Sequence, residues 1–303
     1  MGLCYTILAN FQADFLHLID RTAMHDTANF PYFQSDVLTP LNRPYALMDL
    51  DDTLFQTLRK MQTWQLPSEN LTVASVNKQG EALSFFSEKQ RHFFNWLSQT
   101  TELIPVTARD SDEILRVKLP FVSWQILTHG AVIITPSQQV DSVWQQQIFG
   151  QLQAFYDKIF LLNQTLKRIN QQQNLGLKFT LHDDDFQHAD RTPIYLAIKH
   201  QQRDEAKLAN FCQQLSKLLM PILPNFSDDF YVHINANNLA ILPYFIHKKH
   251  AIHYLLNKHL DKNRPCFGFG DSVADLPFLQ ALDWYGTPNH GQLHAQFSKI
   301  GNS

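Results

Sequence analysis

Cysteine, excess positive charge and long apolar segments are all scarce in this chain of 303 residues. The three cysteines, Cys4, Cys212 and Cys266, are widely spaced, which argues against a metal site or disulfide framework and favours a reducing, cytoplasmic compartment. The formal net charge of −3 provides no basic surface for nucleic acid or an anionic membrane. No apolar run is long enough to span a bilayer, and the N-terminus lacks the basic and apolar regions of a signal peptide.

Apolar and aromatic residues are abundant, at 44% and 12%, and the length suits two domains. From residue 45 short apolar runs such as Tyr45–Met48 and Cys266–Phe269 alternate with helical patterns, which predicts an α/β sheet. Between about residues 136 and 244 the pattern changes to helix, two alternating strands, helix and a hairpin around Asn235–Asn238. We therefore predict a helical extension at 1–43, an α/β core at 44–135 and 245–303, and an inserted α+β domain at 136–244.

Three acidic residues follow the first predicted strand within four positions: Asp49, Asp51 and Asp52. Clustered carboxylates at the end of a buried strand repel one another and are costly to desolvate. Asp49 and Asp51 lie two positions apart and would project to the same side. There they could hold a divalent cation, or act as nucleophile and proton carrier. Taken alone, the cluster fits an acidic turn equally well, because Asp favours turns.

A second informative segment is Gly268–Asp275, which begins within the predicted strand Cys266–Phe269. Glycines that lead from a strand into a helix present backbone N–H groups, and open α/β sheets place their sites at this end of their strands. Asp271 or Ser272 could instead simply cap the helix. A dinucleotide fingerprint is disfavoured because Val273 occupies the position of its third glycine.

These segments together resemble the haloacid dehalogenase superfamily. Asp49-Leu-Asp-Asp-Thr53 is similar to its first motif, Thr107 to its second, and Gly270–Asp275 to its fourth. The third motif is a lysine shortly before the fourth, and either Lys248 or Lys249 can fill it. In relatives with this cap an alanine follows the motif lysine by three positions. Aligning that alanine with the one at position 251 makes Lys248 the motif lysine. The long separation of the second and third motifs resembles that of members with a type-II cap, including the Cof-like and sucrose-phosphate phosphatase-like groups.

The resemblance implies a Rossmann-like parallel-sheet core with an inserted type-II cap, and a magnesium-dependent phosphatase that acts through an aspartyl-phosphate. Asp49 would be the nucleophile and Asp51 the general acid and base. Thr107 and Lys248 would hold the phosphoryl oxygens. Arg109 could reach the phosphate or the cap, and a surface salt bridge is an equally good interpretation of it. The implied ligands of Mg²⁺ are Asp49, the backbone carbonyl of Asp51, Asp271 and Asp275.

The implied substrate is a small soluble phosphate monoester, with sugar phosphates favoured by the resemblance. Two alternatives stay open: a phosphotransferase that uses the same site, and a non-catalytic regulator that binds a phosphate ligand. Lys249 stands where relatives with this cap usually have glycine, which is the only support for the regulator. The acidic run His182–Asp185 is interpreted as a loop. The sequence does not predict an oligomeric state.

Overall fold

The computed structural model describes Thr39 and residues 41–184 and 192–301. The strands in this part of the chain are β1 (Tyr45–Met48), β2 (Gln56–Thr57), β3 (Thr72–Val76), β4 (Ala82–Phe86), β5 (Glu102–Pro105), β6 (Gln125–Leu127), β7 (Val132–Ile134), β8 (Leu177–Asp184), β9 (Thr192–His200), β10 (Phe230–Asn235), β11 (Asn238–Pro243), β12 (Cys266–Phe269) and β13 (Trp284–Gly286). The helices are α1 (Leu58–Thr63), α2 (Glu88–Thr100), α3 (Ser111–Ile114), α4 (Ser142–Gln173), α5 (Glu205–Leu219), α6 (Phe226–Asp229), α7 (Lys248–Lys258), α8 (Leu276–Leu279) and α9 (Gln292–Gly301).

Most of the predicted N-terminal extension at 1–43 lies outside the described residues, so its helical character stays a prediction. Among the helices that are described, none is both long enough and apolar enough to cross a membrane.

The central sheet consists of four parallel strands in the order β13-β12-β1-β5. Its interior strand β1 is buried along its whole length, as expected for an apolar run covered on both faces. Met48 pairs with Phe269 of β12 on one side and with Pro105 of β5 on the other. The carboxyl ends of these three strands are therefore level. The predicted parallel α/β core is confirmed, and the polar residues that follow β1, β5 and β12 share one edge of the sheet.

A second sheet is antiparallel, has the order β10-β11-β9-β8 and spans residues 177–243. On β9 the alternating residues Ile194, Leu196 and Ile198 are fully buried, and helices α4 and α5 pack against this strand. The residues that alternate with them, Tyr195, Ala197 and Lys199, belong to the opposite face. This layer of two helices on an antiparallel sheet agrees with the predicted α+β insertion, which we call the cap. Its boundaries at 136 and 244 stay a prediction.

The interpretation of His182–Asp185 as a loop is wrong for residues 182–184, because β8 extends through Asp184. His182 pairs with Tyr195 and Asp184 with Thr192, with a bulge after His182. Asp184 is buried although it is acidic, because its Oδ2 accepts hydrogen bonds from the core part of the chain. Asp185 lies outside the described residues.

A third, small sheet was not predicted. It has the order β2-β4-β3 and, with α1, occupies residues 56–86. β2 has only two residues, and β3 is irregular and half exposed, so neither shows a clean alternation of apolar and polar positions. The β3–β4 hairpin is closed by Asn77, whose Oδ1 accepts the backbone N–H groups of Gln79 and Glu81. This unit places α1 beside the acidic turn that follows β1.

Candidate active site

The site is built on Asp49, the first residue after the buried strand β1. Its side chain is only 9% exposed. Its Oδ2 accepts a hydrogen bond of 2.9 Å from the hydroxyl of Thr53. The tight turn between the two residues includes Asp52, whose φ of 64° is in the left-handed region that Asp tolerates better than most residues. Asp52 itself pairs with Lys60 of α1 at 2.9 Å.

Lys248 is brought to this carboxylate from a distant part of the sequence, as the first residue of α7. Its Nζ lies 2.7 Å from Oδ1 of Asp49 and 2.6 Å from Oδ1 of Asp275. Burial lowers the pKa of Lys248, but the two carboxylates outweigh this and the net shift is upward, so the amine stays charged. Lys249 is half exposed, and its backbone N–H donates to Nδ1 of His247. Of the two candidate lysines, only Lys248 therefore lies among the acids.

The other carboxylates follow β12. Oδ2 of Asp275 accepts the backbone N–H of Ser272 at 3.0 Å and its hydroxyl at 2.7 Å. In both of these bonds Ser272 is the donor, so Ser272 holds the carboxylate of Asp275 in place. Gly270 is needed here, because a Cβ at this position would lie 2.5 Å from the Cβ of Asp275. The glycine allows the end of the strand to approach the carboxylate closely.

Asp49, Asp271 and Asp275 form a candidate metal centre. Each offers one carboxylate oxygen, and these three oxygens lie within 4.8 Å of one another. Burial, and after it the charges of Asp49 and Asp275, raises the pKa of Asp271 to about 9. Burial likewise raises the pKa of Asp49 to about 7, although Lys248 opposes the shift. Three buried carboxylate oxygens are the hard ligand set that Mg²⁺ prefers.

Asp51 points toward Arg109 and not into this trio. Both of its oxygens accept hydrogen bonds of 2.7 Å, one from Nε and one from an Nη of Arg109. The carboxylate is 49% exposed, whereas the arginine side chain is only 10% exposed and lies over the ring of Phe55. A bidentate pair of this kind fixes both side chains. Arg109, which the sequence suggested for the phosphate or the cap, is thus held against the proposed general acid.

Thr107 lies two residues beyond β5 and is fully buried. Its backbone N–H donates to the carbonyl of Ile126, and its Oγ1 accepts the backbone N–H of Arg109 at 3.1 Å. The hydroxyl keeps its own hydrogen for another acceptor. The next residue, Ala108, lines the cavity described below.

A cavity of about 370 Å³ connects the carboxylates to the cap. Its core side includes Asp49, Asp271 and His129. The φ of His129 is 55°, and burial lowers the pKa of its ring well below the usual value, with Lys248 adding to this. The other lining residues that sequence reasoning missed are Arg59 and Lys60 from α1 and, from the cap, Lys199, Arg203, Tyr231, His233 and the hairpin residues 235–238.

Direct contacts hold the cap over this cavity. The hydroxyl of Thr128 donates to Oδ2 of Asp184 at 2.7 Å, and the hydroxyl of Tyr231 donates to the carbonyl of Ile246 at 2.9 Å. The ring of His129 also packs edge-to-face against that of Tyr195, at 5.0 Å between centroids. The alternation of β9 and β10 already places Tyr195, Tyr231 and His233 on the face away from the helices. That signal could have identified them before the structure was known.

Comparison with known proteins gives one match over more than half of the chain. A family model described as haloacid dehalogenase-like hydrolase matches residues 130–285. The matched range includes Lys248, Asp271 and Asp275, while Asp49 and Thr107 precede it. No curated protein matches the chain by sequence.

Several solved structures are similar to the described fold at low sequence identity. The sucrose-phosphatase from Synechocystis sp. PCC6803, in complex with sucrose and phosphate, is 14% identical, with 86% of this chain and 98% of that chain covered and a TM-score of 0.46. A haloacid dehalogenase-like hydrolase from B. subtilis is 13% identical, with 84% and 92% covered and a TM-score of 0.48. The C-terminal domain of C. albicans trehalose-6-phosphate phosphatase is 14% identical, with 79% and 74% covered and a TM-score of 0.46.

Proposed function

The chain belongs to the haloacid dehalogenase-like hydrolases, and we propose that it is a magnesium-dependent phosphatase of small phosphate monoesters. The observation that carries the proposal is the buried contact of Lys248 with both Asp49 and Asp275, beside Asp271, at the edge of the parallel sheet. These groups lie in a cavity that the cap covers. A sugar phosphate is the favoured substrate, by resemblance.

Asp49 is assigned as the nucleophile. Its two oxygens are oriented separately, one by Lys248 and the other by the hydroxyl of Thr53. Held in this way, the carboxylate can attack phosphorus without reorganising its surroundings. The attack forms an aspartyl-phosphate and breaks the bond between phosphorus and the ester oxygen.

Asp51 is assigned as the general acid and then the general base. It lies two residues beyond the nucleophile and is half exposed, so it can exchange protons with substrate and water. It would protonate the leaving oxygen in the first step and remove a proton from the attacking water in the second. Because Arg109 binds both of its oxygens, we assign Arg109 to positioning Asp51, although substrate contact was the first expectation.

Lys248 and Thr107 are assigned to the phosphoryl oxygens. The positive charge of Lys248 offsets the repulsion between the Asp49 carboxylate and the negatively charged phosphoryl group. The hydroxyl of Thr107 can donate a hydrogen bond to a phosphoryl oxygen. Asp271, Asp275, Asp49 and the backbone carbonyl of Asp51 would hold Mg²⁺. When bound, the metal neutralises charge on the nucleophile and the phosphoryl group.

The test is hydrolysis of an aryl phosphate by the full chain. We expect turnover with Mg²⁺ and none in chelator. Asp49→Asn should abolish turnover, whereas the same chemical change at Asp52, which pairs with Lys60 in the turn, should leave it largely intact. Turnover by the Asp49→Asn variant would exclude the covalent mechanism. Phosphoryl transfer to an added alcohol in preference to water would favour the phosphotransferase instead.

A further inference from the structure

The cap contributes two cations to the cavity from one end of β9. Lys199 is the penultimate residue of that strand, and Arg203 lies in the turn that leads to α5. Both side chains are exposed and line the same cavity as Asp49. A group bound at the carboxylates can therefore extend toward these two cations.

Neither cation is neutralised by an acid within the part of the chain that the structure describes. The carboxylate nearest in sequence to Arg203 is Asp204, whose Oδ1 accepts the backbone N–H of Lys207 at 3.0 Å and whose Oδ2 lies 3.6 Å from Nζ of Lys207. Lys199 pairs in register with Lys178 on β8, which places two positive charges side by side on one face of the sheet. Like charges directly opposite each other are destabilising.

The surroundings of Lys199 are fixed by the hairpin between β10 and β11. The side-chain amide of Asn237 accepts the backbone N–H of His200 at 2.9 Å and donates to its carbonyl at 3.0 Å. This clamp ties the hairpin loop to the end of β9. Since Leu239 pairs with Ile198, it also brings Asn238 beside Lys199. Anion binding is strongest where donors are held in place before the ligand arrives.

Of the three basic residues that line the cavity from the core side, Lys248 and Lys60 already have acidic partners, and Arg59 lies on α1 next to Lys60. Lys248 pairs with Asp49 and Asp275, and Lys60 pairs with Asp52. Lys199 and Arg203 come from a separate layer and stand apart from these pairs. They supply positive charge beyond what the phosphoryl site uses for itself.

We propose that Lys199 and Arg203 form an anion-binding site for a second negatively charged group, carried by the leaving group of the substrate. The proposal rests on the phosphatase function proposed above. The substrate class is then a phosphate monoester whose alcohol part bears a carboxylate or another phosphate. The Asn residues of the hairpin tip would contact the hydroxyl groups between the two ends.

Binding to the Asp49→Asn chain, measured by calorimetry with Mg²⁺, tests the proposal without turnover. The probes are two matched pairs: glycerol 3-phosphate with 3-phosphoglycerate, and fructose 6-phosphate with fructose 1,6-bisphosphate. We expect the member with the extra charge to bind about tenfold more tightly in at least one pair. The first pair reports on a carboxylate and the second on a phosphate.

Lys199→Gln and Arg203→Gln, each added to Asp49→Asn, should remove most of that preference. Lys217→Gln, at an exposed position of α5 outside the cavity, makes the same change in charge and should leave the preference intact. Equal affinity within both pairs, no measurable binding of any probe at millimolar concentration, or equal losses for both members of a pair would overturn the proposal. Aryl phosphate hydrolysis by the wild-type chain reports separately on the phosphatase function.

Discussion

Replacing Asp271 by Asn should stabilise the protein in chelator. Asp271 is 4% exposed, and in the described part of the chain no donor hydrogen bonds to its carboxylate. Burial, together with the charges of Asp49 and Asp275, raises its pKa from 3.8 to about 9. The folded state therefore holds the proton more tightly than the unfolded state, and the free energy of unfolding falls as pH rises from about 4 to about 9.

The expected change in the free energy of unfolding follows from the pKa shift of Asp271. Each pKa unit is worth about 1.4 kcal/mol, so the ionised acid costs on the order of 5 kcal/mol at pH 8 and only about 1–2 kcal/mol at pH 5. An asparagine avoids this cost, but its buried amide lacks partners, which costs about 1–3 kcal/mol. We expect a net gain of about 3 kcal/mol at pH 8, or a melting temperature about 6–12 °C higher.

The assay is thermal unfolding of wild type and Asp271→Asn in chelator at both pH values, then at pH 8 with Mg²⁺. A metal at 100 times its dissociation constant adds about 2.7 kcal/mol to the wild type, so Mg²⁺ should nearly close the gap. Asp228→Asn, at an exposed position, is the matched control and should change little. A variant that melts at or below wild type at pH 8, or a difference that does not depend on pH, would refute the reasoning.

Three further variants separate the roles of neighbouring residues. Lys248→Ala should lower kcat/KM for an aryl phosphate about 10²–10³-fold, while kcat/KM of Lys249→Ala should stay within about threefold of wild type. A larger loss in Lys249→Ala than in Lys248→Ala would overturn the lysine assignment. Arg109→Gln should lower kcat about tenfold and shift the pH–rate profile, and Arg109→Lys should recover part of the lost kcat. An unchanged pH–rate profile would speak against the positioning of Asp51 by Arg109. Gly270→Ala should lower the free energy of unfolding by about 1–3 kcal/mol, measured by urea unfolding, because the added Cβ would clash with Asp275. Unchanged stability and activity would contradict the need for a close approach of the backbone at position 270 to Asp275.

Much of the core could be predicted because its signals are local. Tyr45–Met48 and Cys266–Phe269 appear in the structure with the predicted bounds, since each is a short apolar run ended by polar residues. The level ends of these strands follow from their parallel pairing and bring Asp49 and Asp271 together. The assigned roles of these residues stay proposals.

Other features depend on contacts that no local pattern specifies. The pairing of Asp51 with Arg109 joins residues far apart in sequence, and nothing in either segment indicates it. Asp184 resembles a loop residue until the hydroxyl of Thr128 is seen to satisfy its carboxylate. The cationic end of the cap requires the register of β8 and β9, which places Lys199 opposite Lys178. Register is set by the whole sheet, so the sequence alone could not supply it.

The stereochemical course at phosphorus tests the central claim most directly. A phosphate ester made chiral with oxygen isotopes would be hydrolysed in isotopically labelled water, and the configuration of the released phosphate determined. Transfer to Asp49 followed by transfer to water involves two in-line displacements, so we predict net retention of configuration. Net inversion would mean that water attacks the substrate directly, and it would contradict a covalent intermediate on Asp49.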